Sequence, residues 1–293
     1  MSTLDRTDEE IDTLATTSAA ASGASASASF RTNEVYSGAA AGSSTARVDA
    51  VARALLKAVH RVIDEHEVTY PEFQAAKKWL MDVGEVGEWP LFLDVFVEHA
   101  VEEVASRSQH GSKGTILGPY YLPGQVQLAS PATLPARADE AGTPLVFTGR
   151  VTDLDGSPLT GATLDIWHAD SDGLYSGFAP SLPEGNLRGV VTADSDGRFE
   201  IRTVEPAPYQ IPTDGPTGAL TRAAGWSPWR PAHLHLLVSA PGHRTITTQL
   251  YFAGGEHLED DVAEATKPEL VLHPVENTSG ERVAEYDFAL ERD

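Results

Sequence analysis

The chain has 293 residues, a formal net charge of −22, 41% hydrophobic residues and no cysteine. That length and apolar content suffice for a full core, while the missing thiols exclude disulfides, thiolate metal sites, iron–sulfur clusters and cysteine nucleophiles, so histidine, carboxylate or tyrosine must supply any metal ligand. The acidity argues against nucleic-acid and polybasic membrane binding, because phosphate backbones and anionic headgroups repel it.

The N-terminal stretch MSTLDRTDEEIDTLATTS is acidic where a secretory leader would be basic and then apolar. No run is apolar enough over sufficient length to span a bilayer, so a cytoplasmic protein is expected. Residues 1–45 contain SAAASGASASAS, which carries too little bulky apolar surface to offset the entropy of ordering; this tail is expected to be mobile. From Arg47 the pattern changes. Val48, Val51, Leu55, Val59 and Val62 recur at steps of three and four, as one face of an amphipathic helix requires. Thr69 followed by Glu72 reads as a capping box, with Pro71 in the first turn, and predicts a second helix to about Val83. The segment EWPLFLDVFVEHAVEEVASR, with Leu93, Phe96, Val97, Ala100, Val101 and Val104, predicts a third that SQHGSKG ends. Residues 46–110 are therefore expected to form a helical module.

Beyond Gly111 the texture is short apolar runs between turn residues: PLVFTGRV, ATLDIWHA, GRFEIRTV, HLHLLVSA, TITTQLYF and VAEYDFAL. Strands rich in Val, Ile, Thr, Phe and Tyr at this spacing predict an antiparallel β-sandwich over 111–293, giving a chain that is mainly β with an α-helical N-terminal module. DSDG occurs at Asp170 and again at Asp194. Both are read as turns, since calcium loops need further oxygen ligands in register.

In RPAHLHLL, His233 and His235 share one face of an extended strand and so can meet one ion. A third histidine and a carboxylate, such as His168 and Glu200, would make a ferrous or zinc site. Tyrosine is the other candidate, because a phenolate is a hard anionic donor suited to a highly charged metal. Spacing alone does not choose among the eight tyrosines. A non-enzymatic β-sandwich holding an apolar ligand or partner is a further reading.

The segments DIWHADSDGLYSGF, NLRGVVTADSDGRFEI, PAPYQIPTDGPTG, WRPAHLHLLVSAPGH and TTQLYFAGG, in that order, resemble the intradiol ring-cleavage dioxygenases. The helical module plus GPYYLPG resembles the catechol 1,2-dioxygenase branch, including its actinobacterial members. The resemblance implies one non-haem Fe(3+) per subunit held by Tyr175, Tyr209, His233 and His235, two phenolates balancing the trivalent charge. It gives Arg230 the task of stabilising negative charge on the bound ring, with Gln249 orienting the ring or the arginine and Tyr209 leaving the metal as a proton acceptor. It places Ile116, Pro119, Val262 and Ala263 around the ring, with Leu80 and Val83 closing the other side. Trp226 and Trp229 are read as packing. The implied reaction is cleavage of catechol by dioxygen to cis,cis-muconate in aromatic compound degradation, with hydroxyquinol or chlorocatechol as alternative substrates. The helical module would form a homodimer interface that can enclose a lipid.

Overall fold

A computed structural model describes residues 44–293; the Ala/Ser-rich run lies outside them. Helix α1 (Thr45–Glu65) starts at Ser44, whose hydroxyl accepts from Arg47 N at 3.2 Å. It buries none of its residues: its apolar stripe faces outward, with Val48 56% and Leu55 64% exposed. Helix α2 (Tyr70–Glu85) begins on the expected capping box, Thr69 N donating to Glu72 Oε2 at 2.7 Å while Glu72 N donates to Thr69 Oγ1 at 3.5 Å. The single third helix expected from periodicity is two, α3 (Trp89–Phe96) and α4 (Glu98–Ser106), broken at Val97. The break puts Glu98 in a new first turn, where its carboxylate accepts from Leu117 N at 2.9 Å and Gly118 N at 3.1 Å. Among the described residues no helix is long and apolar enough to cross a membrane.

These helices are pinned to the β region by polar contacts at a few points. Trp79 Nε1 donates to Pro216 O at 2.7 Å, and Glu88 Oε2 accepts from Thr217 N at 2.8 Å, both at the start of α5 (Pro216–Ala224). A carboxylate there meets the unpaired N–H groups and the positive end of the helix dipole. Lys267 Nζ reaches Glu102 Oε2 at 2.5 Å and Gly114 O at 2.7 Å.

Strands β1 (Gln127–Ala129), β5 (Arg188–Thr192), β4 (Thr163–His168), β9 (His233–Ala240), β10 (His243–Phe252) and β11 (Val271–Leu272) form one sheet in that spatial order. Strands β12 (Val275–Glu276), β13 (Arg282–Glu285), β3 (Pro144–Asp153), β6 (Arg198–Val204) and β2 (Ala132–Thr133) form the second, with β14 (Phe288–Leu290) also on β3. The long pairs β4/β5, β4/β9, β9/β10 and β3/β6 are antiparallel as expected. Short edge pairs such as β1/β5, β10/β11 and β13/β3 are parallel, so the sheets are mixed. The three-residue β1 and two-residue β11 leave no periodic signal in the sequence.

The two sheets close on one apolar core. Leu164, Ile166, Leu234, Leu236, Val238, Leu250 and Phe252 from the first meet Leu145, Phe147, Val151, Phe199, Ile201 and Phe288 from the second. Because side chains alternate, burying residues 234, 236 and 238 sends His233, His235 and Leu237 to the opposite face. The three DxDG turns share one device: the first aspartate's Oδ1 accepts two backbone N–H groups, as in Asp170 with Asp172 N at 3.0 Å and Leu174 N at 2.8 Å. Asp194 and Asp153 do the same.

Candidate metal centre

On that outer face of the first sheet, register builds a row. Trp167 of β4 and Gln249 of β10 flank His235, and Tyr251 is opposite His233. Trp167 stacks on the His235 ring at 4.8 Å and 10°. Tyr175 follows the Asp170 turn after β4 and reaches back over the row. Its hydroxyl is 3.1 Å from His235 Nε2 and 3.4 Å from His233 Nε2, and the two Nε2 atoms are 3.0 Å apart. Tyr209 lies on the two-residue strand β7 (Tyr209–Gln210), directly opposite Arg230 on β8 (Trp229–Arg230). The Tyr209 ring meets the Tyr175 ring edge-on at 5.3 Å between centroids and lies 5.7 Å from the His233 ring. Four donors from distant points of the chain thus come together, all of them buried.

The chemistry of this set fits a cation. His233 Nδ1 is 2.7 Å from Pro231 O; a carbonyl only accepts, so Nδ1 carries the proton and Nε2 turns a lone pair inward. Burial, reinforced by Arg230, lowers the His233 pKa to about 3, and burial with the neighbouring His233 pushes His235 well below the usual range. Both rings are therefore neutral near pH 7, as ligands must be. Burial holds the Tyr175 phenol well above its usual pKa, with Tyr209 adding to the effect, and burial raises Tyr209 as well, partly offset by Arg230. Without a cation the phenols keep their protons; a trivalent ion between them would release those protons and be matched by two phenolates.

Arg230 is 2% exposed and remains charged. Burial opposes that charge, but Asp261 outweighs it with a two-point ion pair, Nε to Oδ1 at 2.8 Å and Nη2 to Oδ2 at 3.0 Å. Gln249 Oε1 accepts from Arg230 Nη2 at 2.9 Å, and Gln249 Nε2 donates to Ile116 O at 2.9 Å.

Of the residues expected around a ring, Ile116, Val262 and Ala263 meet in one apolar cluster with Leu91, Val95 and Ile211. Pro119 is buried beside Gly118, and Val83 is fully buried. Leu80 is 44% exposed and lies outside that cluster. Trp226 is not a buried packing residue: it is 51% exposed, its ring 5.6 Å from Phe96. Trp229 stacks on His257 at 4.6 Å. His168 is not joined to the histidine pair, because Ala169 O and Thr203 Oγ1, each at 2.7 Å, occupy both its nitrogens. Glu200 sits on the other sheet, where its Oε1 accepts from Arg202. Among the described residues no cluster of three or more His, Cys, Asp or Glu could hold a metal.

Sequence reasoning missed Asp261, Tyr251, Tyr120 and Trp167. Tyr251 and Trp167 were within reach by alternation, each two residues along a strand from a polar side chain of the same face, Gln249 and Asp165. Tyr120, stacked flat on Tyr175 at 4.3 Å and 3°, comes from a loop and left no periodic sign.

Residues 116–293 match the family described as Dioxygenase, and residues 45–113 match the one described as Catechol dioxygenase N terminus. A chlorocatechol 1,2-dioxygenase of Rhodococcus opacus is 46% identical over 213 residues, 72% of this chain and 83% of that protein. A catechol 1,2-dioxygenase of Acinetobacter baylyi is 33% identical over 252 residues, 82% of this chain and 80% of its own length. The crystal structure of 3-chlorocatechol 1,2-dioxygenase from Rhodococcus opacus 1CP superposes with a TM-score of 0.82 at 47% identity, covering 85% of this chain and all of the other. Together with the sandwich and its helical extension, these matches establish that the chain belongs to the intradiol ring-cleavage dioxygenases.

Proposed function

We propose that this protein holds one ferric ion per subunit on Tyr175, Tyr209, His233 and His235 and uses it to cleave a catechol between its two hydroxyl-bearing carbons with dioxygen. The observation that carries the reading is the meeting of the Tyr175 hydroxyl with both imidazole Nε2 atoms at 3.1 and 3.4 Å. Bound there, Fe(3+) would supply a Lewis acid that gathers both catechol oxygens and makes the ring electron-rich toward dioxygen. The chain's own groups do the rest. Tyr209, as phenolate, takes a proton from a substrate hydroxyl, with the Arg230 charge opposite it on β8 favouring the phenolate. Arg230, fixed by Asp261 and Gln249, sets a buried positive charge against the negative charge that builds on the ring. Ile116, Val262 and Ala263, which share one apolar cluster, would surround the ring together with the buried Pro119 and Val83 and keep water from it.

On the substrate, the names of the relatives favour a chlorinated ring: chlorocatechol 1,2-dioxygenase at 46% identity, against 33% for hydroxyquinol and catechol 1,2-dioxygenases. The expectation of catechol as preferred substrate gives way to chlorocatechol, with catechol, opening to cis,cis-muconate, and hydroxyquinol as secondary substrates. Val262 is the residue assigned to reading the ring substituent. Steady-state rates of the iron-loaded protein on catechol, 4-chlorocatechol and hydroxyquinol test this. Cleavage of none of them, or retention of full activity by Tyr209→Phe, removes the reading. The outward apolar stripe of α1 supports pairing of two helical modules into a homodimer, with a lipid as an additional occupant of that face.

A further inference from the structure

Arg230 and its surroundings show more order than a counter-ion requires. Its Nη2 donates not only to Asp261 Oδ2 but to Gln249 Oε1 at 2.9 Å and Tyr251 at 3.4 Å. Tyr251 in turn donates its hydroxyl to Gln249 Oε1 at 2.9 Å. Asp261 is itself immobilised: Oδ1 accepts from Ala263 N at 3.1 Å, and Oδ2 accepts from Ala265 N at 3.2 Å and Thr266 Oγ1 at 3.4 Å. The carboxylate is therefore a fixed post whose position is set by the backbone of the 261–266 loop, the loop that also carries Val262 and Ala263. A forked, two-point contact fixes the plane of a guanidinium as well as its distance.

Resting on the ring-cleavage reading above, we propose that Asp261 is a positioning residue for that reaction: it clamps the Arg230 guanidinium beside Tyr209 so that its charge is already aligned when the ring turns electron-rich. The carboxylate has two opposed influences. It cancels part of the arginine's charge, which weakens stabilisation of an anionic ring, and it holds the arginine still, which strengthens it. Removing it speeds the reaction if screening is its only role and slows the reaction if it positions.

A double-mutant cycle on the iron-loaded enzyme tests this, with kcat and KM for the best-cleaved of catechol, 4-chlorocatechol and hydroxyquinol measured in wild type, D261N, R230Q and D261N/R230Q. Misplacing a reacting charge by about 1 Å costs on the order of 100-fold, so D261N should lower kcat by about that factor and leave KM within about 3-fold. In the R230Q background nothing remains to be positioned, and the same replacement should change kcat by less than about 3-fold. D261E keeps the charge but lengthens the arm by one methylene; it should lower kcat by about 10-fold. Should D261N fail to give a cooperative thermal transition, D261E and D261E/R230Q carry the same cycle. A rise in kcat on removing the carboxylate, or equal losses in both backgrounds, overturns the proposal while leaving ring cleavage standing. A wild-type enzyme that cleaves none of catechol, 4-chlorocatechol and hydroxyquinol overturns the ring-cleavage reading, and this proposal with it.

Discussion

Replacing Tyr175 by phenylalanine separates what its hydroxyl does for the fold from what it does for a cation. That hydroxyl lies 3.1 Å from His235 Nε2 and 3.4 Å from His233 Nε2. A net hydrogen bond of this kind contributes about 1 kcal/mol, and the flat stack on Tyr120 at 4.3 Å survives in phenylalanine. Since 1 kcal/mol moves Tm by roughly 2–4 °C for a domain of this size class, metal-free Tyr175→Phe should melt within about 4 °C of wild type. A ligand present at a hundred times its Kd stabilises the native state by about 2.7 kcal/mol, so saturating Fe(3+), or Ga(3+) as a redox-inert substitute, should raise the wild-type Tm by roughly 5–10 °C. Loss of one anionic donor should remove most of that rise in the variant. Differential scanning calorimetry with and without metal reads both quantities. A variant that keeps the full metal-induced rise would refute Tyr175 as a ligand, and one that melts more than about 10 °C early without metal would make its hydroxyl a structural group.

Three further outcomes follow from particular contacts. At Gly173, with φ +78°, an added Cβ would lie 2.8 Å from Tyr209 Cβ and 3.2 Å from Pro208 O; Gly173→Ala should cost about 2–4 kcal/mol in chemical denaturation from left-handed strain and overpacking, and weaken metal retention by displacing Tyr209. Burial lowers the His168 pKa to about 4 from 6.5, so between those values the unfolded chain binds more protons than the native one. Stability from this residue is intact above pH 6.5 and is lost as pH falls toward 4, reaching about 3 kcal/mol at the limit; denaturation curves of His168→Gln should be flatter in pH by that amount, and an unchanged slope would contradict the neutral buried ring. Leu55 is 64% exposed, so Leu55→Glu should leave the stability of one subunit within about 0.5 kcal/mol yet abolish the proposed pairing through α1; a wild type that sediments as a monomer, or a variant that stays dimeric, removes that pairing.

The parts of this molecule that obey a period could be read without coordinates. Helices α1 and α2 announced themselves by apolar spacing and by Thr69 and Glu72, and the long strands by Val, Ile and aromatic runs. The break at Val97 was hidden because WPLFLDVFVEHAVEEV is helical in period throughout; a tertiary contact, Glu98 to the 117–118 backbone, wins over local pattern. His233 and His235 were legible as a pair because two-residue alternation is strict. Tyr175 and Tyr209 were not, since a DxDG turn and a two-residue strand bring them in and neither has a period; only resemblance singled them out. Asp261, adjacent to Val262 in EDDVAEAT, has nothing in its sequence context to set it apart from the other carboxylates of an acidic chain, and its two-point contact with Arg230 is what distinguishes it. Leu80, on the expected helix α2, is 44% exposed and lies outside the cluster of Ile116, Val262 and Ala263, so apolar spacing alone does not show what it faces.

The convergence of two phenols and two imidazoles is tested most directly by the visible absorption spectrum of the purified protein reconstituted with one equivalent of iron. Tyrosinate bound to ferric iron absorbs visible light, so the account predicts a red protein whose band weakens in Tyr175→Phe and moves to longer wavelength on anaerobic addition of catechol. Iron bound at full stoichiometry in a colourless protein, indifferent to catechol, would contradict it.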